Sequence, residues 1–251
     1  MRIALWTTYF ECSDPLRKTE FLTSIRINSE NPGIDTIYVL AETVETFPLN
    51  HSKIKVIPIL ERPSYSTFFH LYKVYELANT INILANTDIV LDYRHMDHFK
   101  LIQPNMLFAL SRYEVASVPT SFEDLLTARI ELIEEPLEYY SSQDVWAIRG
   151  FPPNPHIFIE KLGIPKCDGR TAFHFHKLGY SVFNPCLSIH TYHIHMSKSR
   201  DYLNPYPGYT MFIRPTNIAA IQDSPSTQTR LYTDALPVTP KMLPFLFTNK
   251  L

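Results

Sequence analysis

The run Ile81-Asn82-Ile83-Leu84-Ala85-Asn86-Thr87-Asp88 brings an Asn-x-Asp pair to the end of an apolar strand. Oxygen ligands at the carboxyl edge of a strand suit Mg²⁺ or Mn²⁺, which take one or two protein carboxylates and complete their shells with water and substrate phosphates. Asn and Asp also dominate turns, so the pair taken alone equally describes a plain strand end. Farther along stand Asp168 and the pair His193-x-His195. Asp168 by itself reads as the cap of a helix opening near Gly169. His193 and His195, two positions apart on a strand, share one face.

Other chemistries are poorly served. Paired histidines at His193 and His195 would also suit a zinc hydrolase, but His174 and His176 stand about 200° apart on a helix and do not converge on one site. Neither G-x-S-x-G nor a glycine-rich phosphate loop occurs among the six glycines.

The elements that must position these residues follow from the pattern. Residues 2–7 read as a first strand, with Asp14 capping a helix that has Pro15 at its first position and runs to about Asn28. Thr36–Ala41 and Ile54–Ile59 read as strands, the second at an edge because Pro58 cannot donate to a ladder. A helix from about Ser66 to Asn79 carries Phe68, Leu71, Tyr72, Tyr75 and Ala78 at helical spacing, a core stripe. The strand ending at Asn86 follows. Beyond it, Leu107–Tyr113 and Asp144–Arg149 read as strands, Gly169–Leu178 as a helix stopped by Gly179, and Tyr180–Phe183 and Ile189–His195 as closing strands. The acidic stretch from Glu114 to Glu138 reads as a surface excursion with some helix. Alternation of strands and helices in the first ninety residues predicts an α/β domain with a mixed, mostly parallel sheet flanked by helices. Pro205, Pro207, Pro215, Pro225, Pro237, Pro240 and Pro244 interrupt any long element after about Leu203, so residues 203–251 read as a tail that packs on the domain or is partly mobile.

Composition bounds the class. A chain of 251 residues that is 45% hydrophobic can bury one sizeable core. A formal charge of -2 supplies no basic field for nucleic acid. Three cysteines at spacings of neither a zinc ribbon nor a disulfide framework point to a reducing, cytoplasmic setting. The short apolar run Met1–Trp6 is too brief for a signal peptide or a spanning helix, and Asn50-His51-Ser52 as a glycan acceptor has no secretory route to support it.

Three features recur in order: Asn86-x-Asp88 after a strand; Cys167-Asp168-Gly169-Arg170 opening a helix that leads into Leu178-Gly179-Tyr180-Ser181-Val182; and Ile189-x-x-Tyr192-His193-Ile194-His195. This order resembles the nucleotide-sugar-dependent glycosyltransferases of the GT-A fold, especially inverting members akin to family 2 and their small bacterial and viral relatives. The resemblance covers residues 1–202. It departs from the family at Asn86, where Asp is usual, and at Cys167, where Glu is usual.

The resemblance implies a single GT-A domain that moves a sugar from a nucleotide-diphosphate donor to a hydroxyl acceptor, such as a glycan, with a divalent cation (Mn²⁺ or Mg²⁺) as cofactor. Asp88, assisted by Asn86, would hold the ion, and His193 or His195 would complete its ligands. Asp168 would be the base of an inverting transfer, with Asp144 as runner-up or as a binder of substrate hydroxyls. Nucleotide contacts would come from strand ends: Thr7, Thr8 and Tyr9 after the first, Ala41 and Glu42 after the second, Arg62 after the third. Lys198 and Arg200 would close over the diphosphate. The weakened Asn-x-Asp leaves open a binding module that keeps the nucleotide pocket without turnover.

Overall fold

The computed structural model describes residues 1–42, 47–128, 143–197, 210–223 and 229–232. Its centre is a seven-stranded sheet. Strands β1 (Arg2–Tyr9), β2 (Thr36–Ala41), β3 (Ile54–Pro58) and β4 (Thr80–Ala85) run parallel in the order β3-β2-β1-β4. Next to β4 the sheet continues through β8 (Val145–Arg149), β6 (Met106–Leu110) and β9 (Ser181–Phe183), with β8 antiparallel to both neighbours and β6 parallel to β9. The sheet is therefore mixed and mostly parallel, with Pro58 closing the edge strand.

Both faces of this sheet are covered, so its strands are apolar on both sides. Ile3 and Leu5 face one layer with Phe21 and Ile25 of helix α1 (Pro15–Glu30). Ala4 and Trp6 face the other, with Phe68, Phe69 and Tyr72 of α2 (Tyr65–Val74) and Ala172 and Phe175 of a later helix, Cys167–Lys177. Trp6 stacks on Tyr38 with ring centroids 4.0 Å apart, and its indole N–H donates to Asn82 Oδ1 at 3.1 Å. Asn82 in turn donates to the Gly150 carbonyl at 2.8 Å, which satisfies a polar group fully buried in the sheet.

Strand β5 (Ile89–Leu91) leaves the main sheet directly after Asp88 and pairs antiparallel with β10 (Thr191–His193), which pairs parallel with β7 (Tyr113–Glu114). Asn28 of α1 and Asn31, its C-cap, hold β5 in place. Asn28 Nδ2 donates to the Ile89 carbonyl at 2.8 Å while its Oδ1 accepts from Leu91 N at 2.9 Å, and Asn31 donates to the Leu91 carbonyl at 3.1 Å. A helix thus serves as the missing neighbour of a three-residue edge strand.

Several boundaries differ from those the sequence suggests. Helix α2 ends at Val74 rather than Asn79, because Glu76 adopts φ 54, outside the helical region. The apolar run Leu107–Tyr113 divides between β6 and β7 in separate sheets, and the strand expected to reach His195 stops at His193. Short elements Tyr93–His95, α3 (Met96–Phe99) and α4 (Phe122–Thr127) fill the stretches between strands. In the proline-rich region, β11 (Thr210–Ile213) pairs with β12 (Thr229–Tyr232). Strand β11 also packs on the helix Cys167–Lys177, here α5, where a Cβ on Gly169 would stand 3.1 Å from Thr210 Cβ and 3.2 Å from the Met211 carbonyl. Glycine at 169 permits that approach. No helix among the described residues is long and apolar enough to cross a membrane.

Candidate active site

The chain passes from β1 to β2 and β3 on one side, then returns to β4 on the other, so the carboxyl ends of β1 and β4 flank the point where the winding reverses. Crevices at such points are where open α/β sheets bind ligands. Here the Thr8 and Thr87 hydroxyls meet at 2.7 Å and a cavity of about 530 Å³ opens over them. Its wall includes Asp88, Asp144, Asp168, His193 and His195, so residues far apart in the sequence share one cavity.

The turn after β4 is fixed at both ends. Asn86 N donates to the Asp144 carbonyl at 3.0 Å, and Ile194 N donates to the Asp88 carbonyl at 2.9 Å. This pins Asp88 against β10. His193 lies between two carboxylates: its Nε2 is 3.1 Å from Asp88 Oδ2 and its Nδ1 is 2.7 Å from Glu114 Oε2. Burial alone would lower the His193 pKa, but Asp88 and Glu114 more than reverse this and raise it to about 9. Burial likewise opposes ionisation of Asp88, yet His193, His195 and Arg17 hold it well below the usual carboxylate range. Glu114, despite burial, is lowered to about 2 by His193 and Arg112.

Asp88, His193 and His195 offer donor atoms that all lie within 4.8 Å of one another. One carboxylate and two stacked imidazoles, whose centroids are 5.0 Å apart, form a donor set that a divalent transition ion accepts, and Glu114 would orient His193 from the outer shell. The residues therefore fit an ion. A guanidinium already reaches the same set: Arg17 Nη2 is 2.6 Å from Asp88 Oδ2, and Arg17 Nη1 is 2.6 Å from His195 Nδ1 and 2.8 Å from Glu20 Oε2. A second set, Asp92, His95 and His190, is equally close. There Asp92 already accepts from Arg94 at 2.6 and 2.9 Å and from Tyr192 at 3.1 Å, while His95 Nδ1 accepts the His190 backbone N–H at 3.2 Å. Those bonds close the end of the β5–β10 ladder.

Asp168 stands in the first turn of α5, partly exposed to the cavity, and accepts the Gln143 N–H at 3.1 Å. Desolvation pushes its carboxyl up to about 6, with the Asp144 charge adding to the rise and backbone N–H groups opposing it. Lys166 holds the N-cap position of α5 without a side-chain bond, so Asp168, the second helical residue, is a titrating first-turn acid and not the cap the sequence suggests. Asp144 is committed elsewhere: it takes a short ion pair from Arg112 and a hydrogen bond from Asn86 Nδ2 at 2.5 Å. Arg112 also donates to Glu114 at 2.9 Å, so charge of alternating sign runs from Asp144 through Arg112, Glu114, His193 and Asp88 to Arg17. Burial raises the neighbouring Cys167 thiol to about 12, which removes it as a nucleophile.

Of the strand-end residues expected to meet a nucleotide, Thr8, Tyr9, Glu42 and Arg62 line the cavity, as does Asn86. Thr7 and Ala41 do not. Thr7 is buried, and Ala41 packs in the core layer beneath α1. Lys198 and Arg200 lie outside the described residues. Sequence reasoning missed Arg17, Arg112, Glu114 and Lys166. Lys166 carried a signal only visible in the backbone, a φ of 69 at the entrance to α5 beside the cavity.

No family model matches the chain, and no curated protein matches it by sequence. Among solved structures, the GalNAc-T7 structure with UDP, GalNAc and Mn²⁺ is 11% identical, with 78% of this chain and 44% of that one covered at a TM-score of 0.44. The 2-C-methyl-D-erythritol 4-phosphate cytidylyltransferase of Francisella tularensis is 11% identical over 59% of this chain and 73% of that one, at 0.39. The bifunctional IspDF of Campylobacter jejuni is 10% identical over 85% and 59%, also at 0.39. At that distance, function has to be argued from the site.

Proposed function

We propose that this chain transfers a sugar from a nucleoside-diphosphate donor to a hydroxyl acceptor, with inversion and with Asp168 as the base. The observation that carries this reading is a carboxyl raised to about 6 in the same cavity as the Asp88, His193 and His195 cluster. A base with a pKa near working pH is what a hydroxyl nucleophile needs, since the proton must leave as the oxygen attacks. Nucleotidyl transfer to a phosphate oxygen would need no such group, because that nucleophile is already anionic. Asp168 thus favours a hydroxyl acceptor.

In the reaction, the acceptor oxygen attacks the anomeric carbon, its proton passes to Asp168, and the bond from that carbon to the diphosphate oxygen breaks. Negative charge gathers on the departing diphosphate. Asp88, His193 and His195 would hold a divalent ion, which supplies a positive charge to that leaving group. Arg62 and Lys166, both on the cavity wall, offer phosphate oxygens charged hydrogen bonds. Glu42 and Tyr9, at the ends of the parallel strands and on the cavity wall, would meet the nucleoside. Asp144 keeps Asn86 and Arg112 in position, which makes it an organiser of the wall rather than the base.

The test is a panel of nucleotide sugars with simple glycoside acceptors, scored for nucleoside diphosphate and for glycosylated product. The wild-type chain should form both with at least one donor. Asp168→Asn should keep donor binding and lose turnover by about a thousandfold or more, within the range of a lost general base plus its charge. Equal turnover in the variant would remove Asp168 from the chemistry.

A further inference from the structure

The centre of the acid–imidazole cluster is claimed by a side chain of this chain. Arg17, on the first turns of α1, places Nη2 2.6 Å from Asp88 Oδ2 and Nη1 2.6 Å from His195 Nδ1, two of the three donors within reach of a common ion. The ring nitrogen of His195 that faces Arg17 can only accept from it, so its lone pair is in use. The guanidinium is well held. Glu20, fully buried, takes a second ion pair from Nη1 at 2.8 Å, and the Phe21 ring lies 4.5 Å below the guanidinium carbon. Glu20 also accepts the Met196 and Ser197 backbone N–H groups at 2.5 and 2.7 Å, which ties the arginine's support to the segment just after His195.

We propose that Arg17 and a divalent cation are alternative occupants of the Asp88, His193 and His195 cluster, so that an ion binds only when the guanidinium has swung out. The inference rests on the same cluster as the proposed transferase site and concerns its charge rather than its substrate. His195 Nδ1 has one lone pair, which cannot accept from the guanidinium and bind an ion at once, and two positive charges crowded at Asp88 repel each other. Arg17 keeps the cluster neutralised before a donor arrives. Once displaced, its charge and five N–H donors would be available to phosphate oxygens entering from the cavity, which Arg17 also lines.

The population arithmetic sets the size of the effect. If the guanidinium is in place about nine-tenths of the time, the apparent affinity for an ion is weakened about tenfold relative to an open cluster. Mn²⁺ binding to the full chain, followed by the loss of the free-ion resonance signal, should therefore tighten about tenfold or more in Arg17→Gln and remain near the wild-type value in Arg17→Lys. An Arg17→Gln affinity equal to or weaker than wild type overturns the proposal. A second measurement needs no variant: arginine-selective dicarbonyl labelling of the wild-type chain, read by mass spectrometry, should modify Arg17 faster with Mn²⁺ than without it. Unchanged or slower labelling at saturating Mn²⁺ also overturns it. Neither readout involves a nucleotide or turnover, so a chain that transfers no sugar can still pass both, and an active one can fail both.

Discussion

Replacing Asp168 by Asn should make the protein more stable at neutral pH while ending its activity. The carboxyl has an ordinary pKa of 3.8 and is raised to about 6 in the folded chain, chiefly by desolvation and secondly by the Asp144 charge. Between those values the folded state holds a proton that the unfolded state has lost, so stability falls as pH rises from about 4 to 6. By pH 7.5 the full difference, roughly 3 kcal/mol, weighs against the fold. Asparagine removes the charge and keeps an oxygen to accept the Gln143 N–H, although a neutral acceptor is the weaker one. A net gain of about 1–2 kcal/mol at pH 7.5 follows, or about 3–6 °C in Tm for a chain of this size. Thermal denaturation of wild type and Asp168→Asn at pH 7.5 and pH 4 measures it. The gain should vanish at pH 4, where the wild-type carboxyl is protonated in the folded chain. A variant destabilised equally at both pH values would refute the reasoning, because Asp168 would then act only through the backbone N–H groups it accepts.

Three further outcomes follow from the geometry. In metal-free protein, the His193 ring should titrate near 9, and Glu114→Gln should lower that value by about one unit or more, read by NMR of the ring protons. Because the folded value exceeds 6.5, the stabilisation it brings is complete below about pH 6.5 and lost as pH rises through about 9, so the wild type should lose stability in that window. Asn28→Ala should cost about 2–4 kcal/mol in urea unfolding, since it strands the Ile89 carbonyl and the Leu91 N–H of β5 in the interior. Asn82→Leu should cost a similar amount by leaving the Trp6 indole N–H and the Gly150 carbonyl unpaired, and should shift tryptophan fluorescence.

The parallel half of the sheet was legible in the sequence because each of its strands is an apolar run bounded by turn or cap residues, as at Asp14-Pro15 and Pro58. The placement of Asp88, Asp168, His193 and His195 around one cavity follows from strand ends and a helix start, positions that a period-two or capping pattern exposes. Strand β5 was not legible: Ile89–Leu91 is three residues long and follows the turn directly, and its partners come from Asn28 of α1 and from β10. The charged residues that set the electrostatics were hidden for a related reason. Arg17 and Glu20 look like a solvated helix face, and Glu114 begins an acidic stretch. Only the fold shows that Arg17 meets Asp88, that Glu20 meets Met196 N, and that Glu114 meets His193. Thr7 and Ala41 lie off the cavity wall because a strand end names a level in the sheet and not how deeply each side chain there is covered.

Occupancy of the cavity by a nucleoside diphosphate is the most direct measurement. Calorimetric titration of the chain with UDP, GDP, CDP, ADP and TDP, each with Mn²⁺, should show one or more binding at micromolar to low millimolar strength, with Asp88→Asn and Arg62→Ala each weakening it about tenfold or more. Failure of every one of them to bind the wild-type chain, or binding untouched by both substitutions, would contradict a diphosphate-sugar site between β1 and β4.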